Sequence, residues 1–210
     1  MSTTLPAALD PLPLVAILRG LTPAEAPAIG AALYEAGFRV LEVPLNSPQP
    51  LRSIEALARA FPEAVVGAGT VRTAQEVDLV HGAGGRVIVS PHFDVEVVSA
   101  AVERGIASLP GIATPSEAFA ALDAGASGLK LFPAEMIPPA AVKAMRAVLP
   151  PEVLLLPVGG ITPATMAGYR AAGANGFGIG SALYSPGKDA AAVAASARAF
   201  ADAWAGTMRA

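Results

Sequence analysis

In AGFRVLEVPLNSP (Ala36–Pro48) a helix ends, a strand runs and a new helix begins. Gly37 supplies the C-cap residue that lets a helix stop in a left-handed turn. Phe38–Leu45 is mostly apolar and does not alternate, as expected for a parallel strand covered on both faces. Ser47-Pro48 then places an N-cap hydroxyl just before a proline suited to the first helical turn.

Outward from that stretch, the same unit recurs about every 25 residues. The other strand candidates before the midpoint are LVAIL (Leu14–Leu18), AVVGAG (Ala64–Gly69) and RVIVS (Arg86–Ser90). After them come IASLP (Ile106–Pro110), GLKLF (Gly128–Phe132), VLLLPV (Val153–Val158) and GFGIG (Gly176–Gly180). Thr22-Pro23, Thr114-Pro115 and Thr162-Pro163 repeat the hydroxyl–proline start. HGAGG (His81–Gly85), ERG (Glu103–Gly105), DAGA (Asp123–Ala126) and AAGA (Ala171–Ala174) repeat the glycine stop. Ala190–Ala205 is the expected closing helix.

Repeated βα units can form an open doubly wound sheet or a closed barrel. The open form usually carries a Gly-rich dinucleotide fingerprint in its first turn, and LRGLTP (Leu18–Pro23) is not one. A barrel gathers the C-terminal ends of all its strands at one mouth, where Arg19, Glu42, Thr70 and Lys130 fall. The expectation is therefore an α/β fold, a (β/α)8 TIM barrel. No linker or low-complexity segment divides residues 1–210, which read as one domain.

Composition narrows the function. A formal net charge of −3 gives no broad basic face, so nucleic acid is not an expected partner. The chain has no cysteine, which excludes disulfides, thiolate metal sites and a catalytic thiol, and fits a reducing, cytoplasmic setting. The N-terminal MSTTLPAALDPLPLVAILRG lacks a basic n-region and is broken by Asp10 and prolines, unlike a signal peptide. No run approaches the roughly 18 uninterrupted apolar residues of a membrane helix, so no membrane association is expected.

Of the three lysines, Lys143 on a helix and Lys188 after Pro186-Gly187 read as solvated surface charges. Lys130, between Leu129 and Leu131, points into the barrel if those neighbours face the helix layer. An unpaired ammonium is costly there. Either a carboxylate pairs with it, or burial and a neighbouring cation such as Arg19 lower its pKa until the amine attacks a carbonyl. Lowering a lysine to about 7–8 represents roughly 3–4 kcal/mol. Glu42, between Leu41 and Val43, faces inward by the same parity, either as an ion-pair partner or as a proton shuttle. His81 and His92 lie in a helix-terminal stretch and a loop and are weaker candidates.

Val158-Gly159-Gly160-Ile161 closes the seventh strand, and Gly178-Ile179-Gly180-Ser181 the eighth. Barrels commonly bind phosphate there, on backbone N–H groups and the start of a short extra helix, here ALY after Ser181. Two other classes remain open. Metal-assisted decarboxylation or epimerisation would need a carboxylate or histidine cluster at the strand ends, where Glu42 stands nearly alone. A non-catalytic sugar-phosphate binder would leave inward Lys130 and Glu42 without a task.

With AILRGLTP (Ala16–Pro23), LEVPLNSP (Leu41–Pro48), GAGTV (Gly67–Val71), GLKLFP (Gly128–Pro133), VGGI (Val158–Ile161) and GIGSALY (Gly178–Tyr184) in order, the chain resembles the KDPG/KDPGal aldolase family. That resemblance implies a class I aldolase that needs no metal or organic cofactor. It implies Lys130 as the Schiff-base residue, Glu42 as proton shuttle and Arg19 as the group that places substrate and keeps the lysine deprotonated. It assigns Thr70 to the pyruvyl carboxylate, Phe132 to packing beside the lysine, and Gly159, Gly160, Gly180 and Ser181 to the phosphate. Gluconate-type members resemble E-x-T-L-R-T at the second strand and carry threonine before the Gly-Gly of the seventh. Pro44-Leu45-Asn46-Ser47 and Val158 are similar to the galactonate type. The implied substrate is 2-dehydro-3-deoxy-6-phosphogalactonate, cleaved to pyruvate and D-glyceraldehyde 3-phosphate. The alternative is a relaxed KDPG or 4-hydroxy-2-oxoglutarate aldolase. Family resemblance also implies a homotrimer.

Overall fold

The computed structural model describes residues 3–207. Its parallel strands are β1 (Leu14–Ile17), β2 (Val40–Pro44), β3 (Val65–Gly69), β4 (Val87–Val89), β5 (Ala107–Leu109), β6 (Gly111–Ile112), β7 (Leu129–Leu131), β8 (Leu155–Pro157) and β9 (Phe177–Ile179). Its helices are α1 (Leu5–Leu9), α2 (Ala26–Glu35), α3 (Pro50–Ala60), α4 (Ala74–Gly82), α5 (Val95–Glu103), α6 (Pro115–Asp123), α7 (Pro139–Arg146), α8 (Pro163–Ala171) and α9 (Ala190–Thr207). Each strand candidate of the sequence reading contains an observed strand, shortened at its ends.

The strands form two ladders, β5-β4-β3-β2-β1-β9 and β6-β7-β8. The fifth strand candidate, Ile106–Pro110, holds only β5; Pro110 ends it, because proline brings no N–H to a ladder, and β6 follows beyond the expected strand. Hydrogen bonds still cross this seam: Ser127 N–H donates to Ser108 O at 2.9 Å and Lys130 N–H to Pro110 O at 2.9 Å. At the other seam, Val158 and Gly178 form a parallel bridge, and Asn175 N–H donates to Leu155 O at 3.0 Å. The result is an α/β fold with a curled parallel sheet, the helices that follow its strands lying outside.

Strand parity sorts the core into two parts. Leu14, Ala16, Leu41, Val43, Val66, Ala68, Leu129, Leu131 and Phe177 join the helix-facing cluster. Val15, Val40, Val65, Val87, Val89, Leu109 and Leu156 form the inner cluster with Leu5, Ala8 and Leu9 of α1. Helix α1 thus packs against the inner face of the sheet. The prolines and Asp10 of this segment gave no helical reading, yet Thr4 caps it by accepting from Ala7 N–H at 3.4 Å.

The helix-start signals divide by chemistry. Thr114 and Thr162 stand at N-caps, with Glu117 and Thr165 completing the reciprocal contacts. Thr73 and Glu76 build another capping box, on a Thr-Ala-Gln-Glu pattern that has no proline. Two expected starts shift. Thr22-Pro23 forms a turn, and α2 begins at Ala26. Ser47-Pro48 is likewise displaced: α3 begins at Pro50 after Gln49 at φ 46°, while Ser47 Oγ accepts from Gly20 N–H at 2.9 Å. The hydroxyl read as a helix cap ties the β1 loop to the β2 loop. The glycine stops at Gly37, Gly84, Gly105, Gly125 and Gly173 all have positive φ.

Candidate active site

Glu42 and Lys130 owe their inward direction to short-range alternation. Glu42 lies two residues beyond inner-facing Val40 and is paired in register with Ile17 on one side and Gly67 on the other. Lys130 is paired with Gly111 and Leu156. Glycine next to Glu42 is a spatial requirement. A Cβ added to Gly69 would stand 2.0 Å from Glu42 Oε2, so any larger residue would evict the carboxylate.

Both groups are buried, with Glu42 2% and Lys130 7% exposed. Glu42 Oε2 has no hydrogen-bond partner among the described residues. The ion pairs among those residues, Arg59–Glu55, Arg104–Asp78 and Arg104–Glu103, all lie elsewhere. The ion-pair reading for Lys130 and Glu42 therefore lacks its contact, although each feels the other. Burial pushes the Glu42 carboxyl up to about 7, against the opposing pull of Lys130 and Arg19. Burial also lowers the Lys130 ammonium, with Glu42 opposing and Arg19 adding to the shift. The Lys130 Nζ lies 4.4 Å from the Phe132 ring centroid, an apolar wall with a negative face.

Arg19 is exposed at the mouth and donates from Nη1 to Asn46 Oδ1 at 2.8 Å. Thr70, half-buried at the end of β3, has φ 59°, a conformation rare for a β-branched residue. Such outliers collect at functional sites. A cavity of about 670 Å3 opens here, walled by Arg19, Asn46, Phe132, Val158, Gly159, Gly160, Gly180 and Ser181 among others. Lys130 lies beneath it, in a small inner space that shares Ile17 and Val158 with the cavity wall. Glu42 and Thr70 stand outside the cavity wall itself.

Gly159 and Gly160 have φ of 111° and 61°, which side-chain-bearing residues rarely adopt. The expected extra helix at ALY is instead one turn, in which Leu183 and Tyr184 N–H groups both donate to Gly180 O. Lys188 is not a free surface charge. Its Nζ donates to Leu183 O at 2.8 Å and Ser196 Oγ at 2.7 Å, fixing that turn to α9. Lys143 is exposed, as expected.

Two wall residues escaped sequence reasoning. Glu135 follows Phe132-Pro133-Ala134, and its FPAE context was the only available signal. Tyr184 is buried with its hydroxyl unpartnered, its pKa raised by burial and by Glu25. Among the described residues no group of three or more His, Cys, Asp or Glu could hold a metal ion. No helix among them is long and apolar enough to cross a membrane.

A family model described as KDPG and KHG aldolase matches residues 6–195. A Rhizobium meliloti (strain 1021) protein described as a probable 2-dehydro-3-deoxy-6-phosphogalactonate aldolase is 48% identical over 179 residues, covering 85% of this chain and 84% of the relative. The 2-dehydro-3-deoxy-6-phosphogalactonate aldolase of Escherichia coli (strain K12) is 45% identical over 194 residues, covering 92% and 95%. A solved structure described as native KDPGal superposes with a TM-score of 0.93 at 44% identity, covering 95% of this chain and 97% of that one.

Proposed function

The chain belongs to the KDPG and KHG aldolase family, and from that premise we propose that it cleaves 2-dehydro-3-deoxy-6-phosphogalactonate to pyruvate and D-glyceraldehyde 3-phosphate. It is an aldolase, a carbon–carbon lyase. One observation carries the mechanistic reading: a buried lysine, with a buried carboxyl that is not ion-paired to it, lines an inner space that shares Ile17 and Val158 with a cavity walled by Gly159, Gly160 and Gly180. Burial and Arg19 both favour the neutral amine, the form that attacks carbonyl carbon.

In this reading Lys130 Nζ adds to C2 of the keto acid, and loss of water gives the iminium. Removal of the C4 hydroxyl proton breaks the C3–C4 bond, and its electron pair flows into the iminium. D-Glyceraldehyde 3-phosphate departs, C3 of the enamine takes a proton, and water releases pyruvate from Lys130. The Glu42 carboxyl, held near neutrality, exchanges the protons of these steps. No external electron acceptor is required, because the iminium serves. Thr70 holds the pyruvyl carboxylate, Phe132 packs beside the amine, and Gly159, Gly160, Gly180 and Ser181 receive the phosphate. Arg19, fixed by Asn46, supplies positive charge at the mouth.

Val158, a cavity wall that cannot hydrogen-bond a hydroxyl, supports the galactonate epimer over the gluconate one. We further read the two strand ladders as one closed (β/α)8 barrel, supported by the hydrogen bonds across both seams. Exposed Leu79, Val95, Val102 and Phe119 on α4, α5 and α6 support a contact surface for the homotrimer that the family resemblance implies, and a cysteine-free chain suits the cytoplasm. The test is to give purified protein each epimer and measure pyruvate release. Faster cleavage of the galactonate epimer is expected; a large preference for the gluconate epimer would overturn the assignment.

A further inference from the structure

We propose that Glu135 is an internal occupant of the phosphate cup, whose carboxylate must withdraw before a phosphorylated substrate can seat. This rests on the reading that Gly159 and Gly160 receive the phosphate.

The geometry is direct. A Cβ built on Gly159 would lie 2.2 Å from Glu135 Oε2, and one on Gly160 would lie 3.0 Å from Glu135 Cγ. The carboxylate therefore stands against both glycines, in the cavity that all three residues line. Its backbone is held there by its neighbour. Ala134 N–H donates to Val158 O at 2.8 Å, and Ala134 O accepts from the Tyr169 hydroxyl at 2.8 Å. The main chain is thus pinned to the end of β8, while the next side chain hangs over the di-glycine turn.

That side chain itself is not pinned. Glu135 is exposed, and among the described residues it has no hydrogen bond and no ion pair. Rotation about its side-chain torsions carries it away from the two glycines and out to solvent without breaking a hydrogen bond or an ion pair. A phosphate monoester carries close to two negative charges at neutral pH, so the two anions cannot share the cup. The carboxylate weakens binding of phosphorylated substrate and phosphorylated product together, which limits product retention. At a few ångströms' separation near the surface, removing the like charge strengthens phosphate binding about tenfold.

The test titrates wild type, Glu135→Gln and Glu135→Asp with inorganic phosphate by calorimetry, and measures KM and kcat on the phosphorylated keto acid. Glu135→Gln is expected to bind phosphate about tenfold tighter and to lower KM by a similar factor, with a smaller change in kcat. Glu135→Asp, with the same charge on a shorter stem, is expected to fall between. Trapping of unphosphorylated pyruvate should be the same in all three. Equal or weaker phosphate binding in Glu135→Gln would overturn the role of Glu135 while leaving the cup intact. Absence of phosphate binding in every variant would overturn the cup, and this proposal with it.

Discussion

Replacing Glu42 by Gln tests whether the buried carboxyl is costly when ionised. Glutamine keeps the shape and removes the charge. Burial raises the Glu42 carboxyl from 4.5 to about 7 in the folded chain. The folded state then holds the proton more tightly than the unfolded state, so stability is fullest below about pH 4.5 and falls as pH rises through about 7. At about 1.4 kcal/mol per pH unit, the ionised carboxylate costs about 3 kcal/mol at pH 8.5 and about 0.8 kcal/mol at pH 5.0. Part of the gain from removal is returned, because Lys130 loses the carboxylate that favours its ammonium. The assay is thermal unfolding of wild type and Glu42→Gln at both pH values. A chain of this size shifts by about 2–4 °C per kcal/mol, so Tm is expected to rise by several degrees at pH 8.5 and by much less at pH 5.0. Cleavage should fall sharply in the same variant. A lower Tm at pH 8.5, or an equal shift at both pH values, would refute the reasoning by showing that the carboxylate is stabilised in place.

Three further substitutions address other parts of the site. Gly69→Ala places a Cβ 2.0 Å from the Glu42 carboxylate, so activity is expected to fall at least tenfold, checked by steady-state cleavage with circular dichroism to confirm folding. Val158→Thr adds a hydroxyl to the cavity wall and is expected to shift the kcat/KM ratio toward the gluconate epimer by about tenfold, read by assaying both epimers. Arg19→Gln removes a cation that lowers Lys130, so the lysine pKa rises and the acidic limb of the kcat/KM profile is expected to move to higher pH. An unmoved limb would show that Arg19 does not tune the amine.

The fold was legible where burial on both faces writes itself into composition. VLEVP of β2 and LKL of β7 are short apolar runs with one polar residue each, and parity alone sends Glu42 and Lys130 inward. Helix α1 was illegible because it is only five residues long, too short for its buried Leu5, Ala8 and Leu9 to stand out as a stripe; its burial comes from the inner cluster that only the curled sheet creates. Ser47 read as a helix cap, yet its hydroxyl answers Gly20, 27 residues away. Likewise the lysine at 188 is drawn inward by carbonyls of a turn that sequence spacing could not place. Glu135 stands against Gly159 and Gly160 only because β7 and β8 are neighbours. Local patterns expose parity and caps, whereas side-chain partners brought together by strand order need coordinates.

The most direct test of the Schiff-base reading is borohydride reduction of the protein in the presence of pyruvate, followed by mass spectrometry of the modified peptide. A reduced pyruvyl adduct on Lys130 is expected, and none in Lys130→Met. An adduct confined to Lys143 or Lys188, or no adduct with wild type still cleaving substrate, would contradict the mechanism.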